Sequence, residues 1–84
     1  MPTPVTLLYF AAIRDVVGIA EESLDLPDNV QLVADLPAFL ELVRPALAGR
    51  LGSVRFAVNE TFATPDTGLA AGDVIALIPP VSGG

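Results

Sequence analysis

Residues Val5 to Phe10 are β-branched, aromatic and aliphatic with neither Gly nor Pro among them, and they predict a first strand. From Ala11 the pattern changes period. Ala12, Ile13, Val16 and Val17 fall on one helical face and Gly18 follows, which predicts a short helix or helical turn over Ala11 to Val17. Ser23 to Leu26 reads as a short strand that the Pro27-Asp28-Asn29 cluster ends in a turn. A main helix is expected to start near Asp35, whose carboxylate would cap the first free N–H groups, with Pro37 tolerated in the first turn. Leu36, Phe39, Leu40, Val43 and Leu47 share one face of it, and Pro45 predicts a kink or restart, since it costs about 3 kcal/mol inside a continuous helix. Val54 to Val58 reads as a buried strand, Asn59-Glu60 as a turn, and Thr61 to Ala63 as the strand returning from it. After a loop at Pro65 to Gly68, Leu69 is an isolated apolar anchor and Ala71-Gly72-Asp73 a tight turn. The uninterrupted apolar run Val74 to Ile78 suits a central strand covered on both faces. One main helix packed across a mixed sheet, an α+β architecture, buries the helix stripe and one sheet face against each other.

The chain has 84 residues, enough for one small core, and 52% of them are hydrophobic. With no cysteine and no histidine, it lacks a thiolate nucleophile, the usual general base and the side chains most used for metal binding. No resident metal or cofactor is expected. Ten acids against four arginines give a net charge of −6, which repels a phosphate backbone, so a protein partner is expected rather than nucleic acid. Lysine is absent, and with it any side-chain amine that an isopeptide bond would need. The apolar stretches are well short of the roughly 20 residues of a membrane-spanning helix, and no charged n-region opens the sequence. A soluble, cytoplasmic protein without a membrane partner is expected. A mean hydropathy of +0.64 in so small a domain predicts apolar side chains left at the surface, as at a protein interface.

Candidate chemistry is concentrated in Pro79-Pro80-Val81-Ser82-Gly83-Gly84. Neither proline donates to a strand ladder, so the last strand ends before them and the following residues take an extended path reaching roughly 20 Å. Residues 1–78 are accordingly read as the folded domain and 79–84 as a flexible C-terminal tail. Two glycines bury no side chain and carry the highest backbone entropy, which makes them poor folded structure but a slim probe for a narrow channel. A carboxylate at Gly84 is a poor electrophile until its oxygen becomes a leaving group, most simply as an acyl adenylate made with ATP. Sulfide or a persulfide attacking that adenylate leaves a thiocarboxylate, a sulfur nucleophile on a chain without cysteine.

Three stretches carry a family resemblance. Leu8-Tyr9-Phe10-Ala11-Ala12-Ile13-Arg14-Asp15, Phe56-Ala57-Val58-Asn59 and Gly72 through Gly84 resemble the small subunit of molybdopterin synthase, with Asp15 standing where that family usually has glutamate. The resemblance implies a ubiquitin-like β-grasp and a role in molybdenum cofactor biosynthesis. It implies that Gly84 is adenylated by a ubiquitin-activating-like adenylyltransferase and converted to a thiocarboxylate by way of a sulfur donor enzyme. The tail Pro80, Val81, Ser82, Gly83 and Gly84 then enters the large subunit, in a heterotetramer, and sulfur passes to cyclic pyranopterin monophosphate to build the molybdopterin dithiolene. On this reading nucleotide is held only as the acyl adenylate, and the chain alone is not an enzyme, since the catalytic side chains belong to the large subunit. Phe10, Phe62 and Ile78 read as core residues taken singly, whereas the resemblance places them on an exposed apolar patch that docks partners. Arg14 is open in the same way between a solvated charge and a contact to a partner carboxylate.

Three other readings remain beside this one: a sulfur carrier for thiamine or cysteine synthesis, a ubiquitin-like modifier joining Gly84 to lysines of other proteins, and an inert interaction domain.

Overall fold

A computed structural model describes residues 2–80. Strand β1 (Thr3–Tyr9) sends Val5, Leu7 and Tyr9 inward and leads directly into α1 (Ala11–Val17), so the first strand ends one residue before Phe10, which instead precedes the helix in extended conformation. Gly18, at φ 93, closes α1 in the left-handed region, its N–H donating to the Arg14 carbonyl at 2.8 Å. Strand β2 (Glu21–Leu26) starts two residues earlier than expected and pairs antiparallel with β1, from Thr3 opposite Leu26 to Leu8 opposite Glu21. It is an edge strand, and Glu21, Glu22 and Asp25 make that edge a poor template for another chain.

Helix α2 (Leu36–Val43) is preceded by a 3-10 turn at Val33–Asp35, which changes the role expected of Asp35. Asp35 already has helical dihedrals, and its carboxylate accepts the N–H groups of Gln31 and Leu32 behind it rather than those of the helix ahead. Pro37 sits in the first turn of α2. Because a residue before proline is pushed out of the α region, Arg44 takes φ −132 and ψ 81 ahead of Pro45, the helix ends, and the chain restarts as a 3-10 turn at Pro45–Leu47. Leu36, Leu40 and Leu47 are fully buried, Phe39 packs partly against them, and Val43 faces outward enough to be 39% exposed.

Strand β3 (Arg55–Val58) and the two-residue β4 (Thr61–Phe62) form a hairpin, and β5 (Val74–Ile78) lies between β3 and β1, antiparallel to the first and parallel to the second. The sheet order is β2-β1-β5-β3-β4. On its inner face Val5, Leu7, Tyr9, Leu26, Phe56, Ile75 and Leu77 meet Ile13 of α1, Leu36 and Leu40 of α2, and Leu47 in one core. The prediction that β5 is covered on both faces is corrected here. Ile75 and Leu77 are fully buried, but Val74 is 36% exposed and Ala76 and Ile78 are half-buried, because both helices lie on the same side of the sheet. An all-apolar strand thus has one face in the core and one facing out.

The β3–β4 turn shows how Asn59 is used. Asn59 and Glu60 both have positive φ, 51 and 71, as a two-residue hairpin turn requires. The Asn59 side chain donates to Asp73 Oδ1 at 2.9 Å and accepts the Val74 N–H at 3.0 Å, while its own N–H donates to the Val74 carbonyl at 2.8 Å. Asn59 therefore ties the hairpin to the start of the central strand. Replacing Asn59 with Ala removes two side-chain hydrogen bonds and leaves a left-handed alanine, and should destabilise the fold by roughly 2–4 kcal/mol. Glu60→Gly relieves the same backbone cost and should stabilise by about 1 kcal/mol. Chemical denaturation of the two variants checks both signs; equal midpoints would show that the turn is not held this way.

Candidate functional site

The tail leaves from the centre of the sheet. Ile78 ends β5 directly beside the end of β1, with Leu77 opposite Tyr9 and Ile78 opposite Arg55, and Pro79 and Pro80 continue outward. Prolines at this point leave no N–H for a neighbouring strand and so end the pairing. Of the expected site residues, Val81, Ser82, Gly83 and Gly84 lie outside the described residues; Pro80 is described and exposed.

Beside the tail base, the uncovered sheet face forms an open trough of about 430 Å³. Leu8 of β1, Val74, Ala76 and Ile78 of β5, and Ala57 of β3 make its floor, with Phe10 at one side and Phe62, Asn59 and Glu60 at the other. Two-residue periodicity accounts for the floor, since Leu8 alternates with inward Leu7 and Tyr9, and Ala76 with Ile75 and Leu77. The small side chains of Ala57 and Ala76 keep it low, and the aromatic rings stand at its rim. Phe10 is 44% exposed and Phe62 57%, so the sheet brings Phe10, Phe62 and Ile78 together on one outer face, and the reading of these three as core residues is set aside. Leu8, Ala57, Val74 and Ala76 complete that face and were missed because a continuous apolar run does not disclose which of its two faces a helix covers. Arg14 does not join them; it is exposed on α1.

A polar network secures the same end of the molecule. The Tyr9 hydroxyl donates to Glu22 Oε2, and Arg44 grips the same carboxylate with two donors, Nε to Oε2 at 3.0 Å and a guanidinium nitrogen to Oε1. It joins β1, β2 and the end of α2, and the break at Pro45 is what frees Arg44 to reach across. The Arg44 hydrogen bonds, followed by that from Tyr9, hold the Glu22 carboxyl below its ordinary value of 4.5 against the opposing effect of burial. Burial first, and then the Glu22 hydrogen bond, push the Tyr9 phenol well above 10.0. The lowered Glu22 value makes its contribution to stability present above pH 4.5 and lost as pH falls below it. The raised Tyr9 value gives a contribution that is present below pH 10.0 and lost as pH rises beyond it. Glu22→Gln should cost about 1–2 kcal/mol at neutral pH and flatten the acid limb of the stability profile, measured by urea unfolding across that range. An unchanged acid limb would show that Glu22 does not carry it.

Comparison with known proteins agrees with this architecture. The chain matches the ThiS family over residues 7–84. It is 37% identical over 82 residues to a molybdopterin synthase sulfur carrier subunit of Chlamydomonas reinhardtii, covering 95% of this chain and 98% of that one. Small archaeal modifier protein 1 of H. volcanii superposes with a TM-score of 0.81 at 28% identity, over 94% of this chain and 99% of that one. The structure of a complex of subunits 1 and 2 of the molybdopterin-converting factor from Helicobacter pylori contains a chain that superposes with a TM-score of 0.68 at 26% identity, over 98% and 100% of the two. The fold is the ubiquitin-like β-grasp of these proteins, and the chain belongs to the ThiS family and groups with the molybdopterin synthase sulfur carrier subunits.

Proposed function

We propose that this chain is the sulfur carrier of molybdopterin synthase and that the carboxylate of Gly84 is its working group. The observation that carries the reading is the exit of Pro79-Pro80 from the central strand at the end of the apolar trough, with Val81-Ser82-Gly83-Gly84 following in sequence. A partner seated on the trough receives the tail beside it.

In this reading an adenylyltransferase joins the Gly84 carboxylate to the α-phosphate of ATP, releasing pyrophosphate. The outer sulfur of a donor enzyme's persulfide attacks the carbonyl carbon and AMP leaves, and a thiol reductant then cleaves the sulfur–sulfur bond of the acyl disulfide, leaving the thiocarboxylate on this chain. The large subunit takes in the tail, supplies the catalytic side chains, and directs that sulfur to cyclic pyranopterin monophosphate. Hydrolysis at the carbonyl returns the carboxylate for another round. The chain's own part is to present a slim terminus and a docking face, with Phe10, Phe62 and Ile78 on that face.

Incubation with the adenylyltransferase, ATP and a sulfur source, followed by intact mass measurement, tests it directly. The expected product is heavier by one oxygen exchanged for sulfur, and it should form molybdopterin when mixed with the large subunit. A chain that keeps its starting mass under conditions that charge a control carrier overturns the proposal. The likeness to small archaeal modifier protein 1 supports a second reading, conjugation of Gly84 to lysines of other proteins. This chain has no lysine of its own, so it would form no lysine-linked polymers, and a search for lysines of other proteins carrying this chain's C-terminal peptide separates the two readings.

A further inference from the structure

Arg55 is the arginine of the trough face. It opens β3 opposite Ile78, and its guanidinium carbon lies 4.7 Å from the centroid of the Phe62 ring. The other three cations are placed elsewhere: Arg44 on Glu22, Arg50 in a hollow on another side of Pro79 and Pro80, and Arg14 on α1. No described carboxylate pairs with Arg55. Stacking holds a planar guanidinium flat on the ring while its N–H edge stays open to a second partner. At the other end of β3, about 10 Å along the strand, the trough ends at Glu60. The docking face is therefore apolar in its middle, positive where the tail leaves and negative at the far end.

Resting on the reading above, we infer that Arg55 is a specificity residue of the docking face, taking a carboxylate of the large subunit beside the mouth of its tail channel. A partner that covers Ile78 and Phe62 also removes water from Arg55, which lies between them. An arginine desolvated without an acceptor opposes binding strongly, so the surface that fits must bring a carboxylate to this point. The positive and negative ends make the face directional. A partner docked the other way round sets its carboxylate against Glu60 and leaves Arg55 unpaired, so the charge pattern selects the orientation in which the tail enters the channel. Net charge points the other way, since the chain as a whole favours basic surfaces. The acidic contact is a local key within that field.

The test uses the full chain and the large subunit from the same organism, with affinity and rates measured for Arg55→Gln, Arg55→Lys and Arg55→Glu. We expect Arg55→Gln to weaken binding roughly 10- to 100-fold, mostly through faster dissociation, and Arg55→Glu to weaken it further. Arg55→Lys should fall between, because lysine keeps the charge but loses the fork and the stacking. Thermal unfolding should be unchanged in all three. Binding of Arg55→Glu within twofold of the unaltered chain overturns this inference and leaves the sulfur-carrier reading standing; failure of the unaltered chain to bind overturns both.

Discussion

Lengthening the chain by one residue beyond Gly84, or deleting Gly84, is expected to abolish molybdopterin formation while leaving thermal unfolding where it was. One residue moves the terminal carbonyl carbon by about 3.5 Å along an extended tail, which is as large as the near-attack distance itself. In the proposed mechanism the same carbon has to reach two different sites, the adenylating one and the synthase, so an error of one residue in either direction misplaces it at both. Among the described residues the buried core reaches no further along the chain than Leu77, and thermal unfolding is therefore expected to be unchanged. Thiocarboxylate formation and molybdopterin production are measured separately, to show which of the two sites rejects each variant. Either variant working at the unaltered rate would sink the delivery mechanism.

Phe62→Asp is expected to weaken binding to the large subunit by roughly 30- to 1000-fold, the range of a central aromatic anchor. Phe62 is 57% exposed on a two-residue edge strand, so its loss removes little burial from the free chain, and the unfolding midpoint should move only slightly. In the proposed complex the partner covers its ring, and an aspartate there loses that apolar contact and competes with the partner's carboxylate for Arg55. Leu42→Asp is the matching control. Leu42 is 80% exposed on α2, whose buried side chains meet the inner face of the sheet, and this change should leave binding unaltered. Equal losses from the two substitutions would mean that the trough is not the docking face.

These two experiments separate the parts of the molecule that were legible at different levels. Local signals placed the elements well where punctuation is strong. Gly18 closes α1 where expected, Pro45 breaks the main helix where expected, and Gly72, at φ 88, makes the turn into β5, because each rests on dihedral limits that act within a few residues. Asp35 was legible as a capping residue but not in its direction. Whether a carboxylate serves the turn behind it or the helix ahead depends on a 3-10 turn that the loop at 65–68 helps to hold, with the Val33 and Ala34 N–H groups donating to the Thr67 and Pro65 carbonyls.

By itself the sequence determined the period of each element, the lack of thiol and imidazole side chains in this chain, and the stop of the last strand before Pro79-Pro80, because these depend on residue type and near-neighbour sterics. Only the tertiary structure decided which face of Val74–Ile78 is covered. Strand periodicity says that Ile75 and Leu77 share one side and Val74, Ala76 and Ile78 the other, but both sides are apolar, so the choice waits on where α1 and α2 pack. The same is true of Tyr9, Glu22 and Arg44, and of Arg55 on Phe62. Their separations along the chain are closed by strand pairing and by the helix break at Pro45, and long-range contacts of this kind leave no periodic trace in the residues that make them.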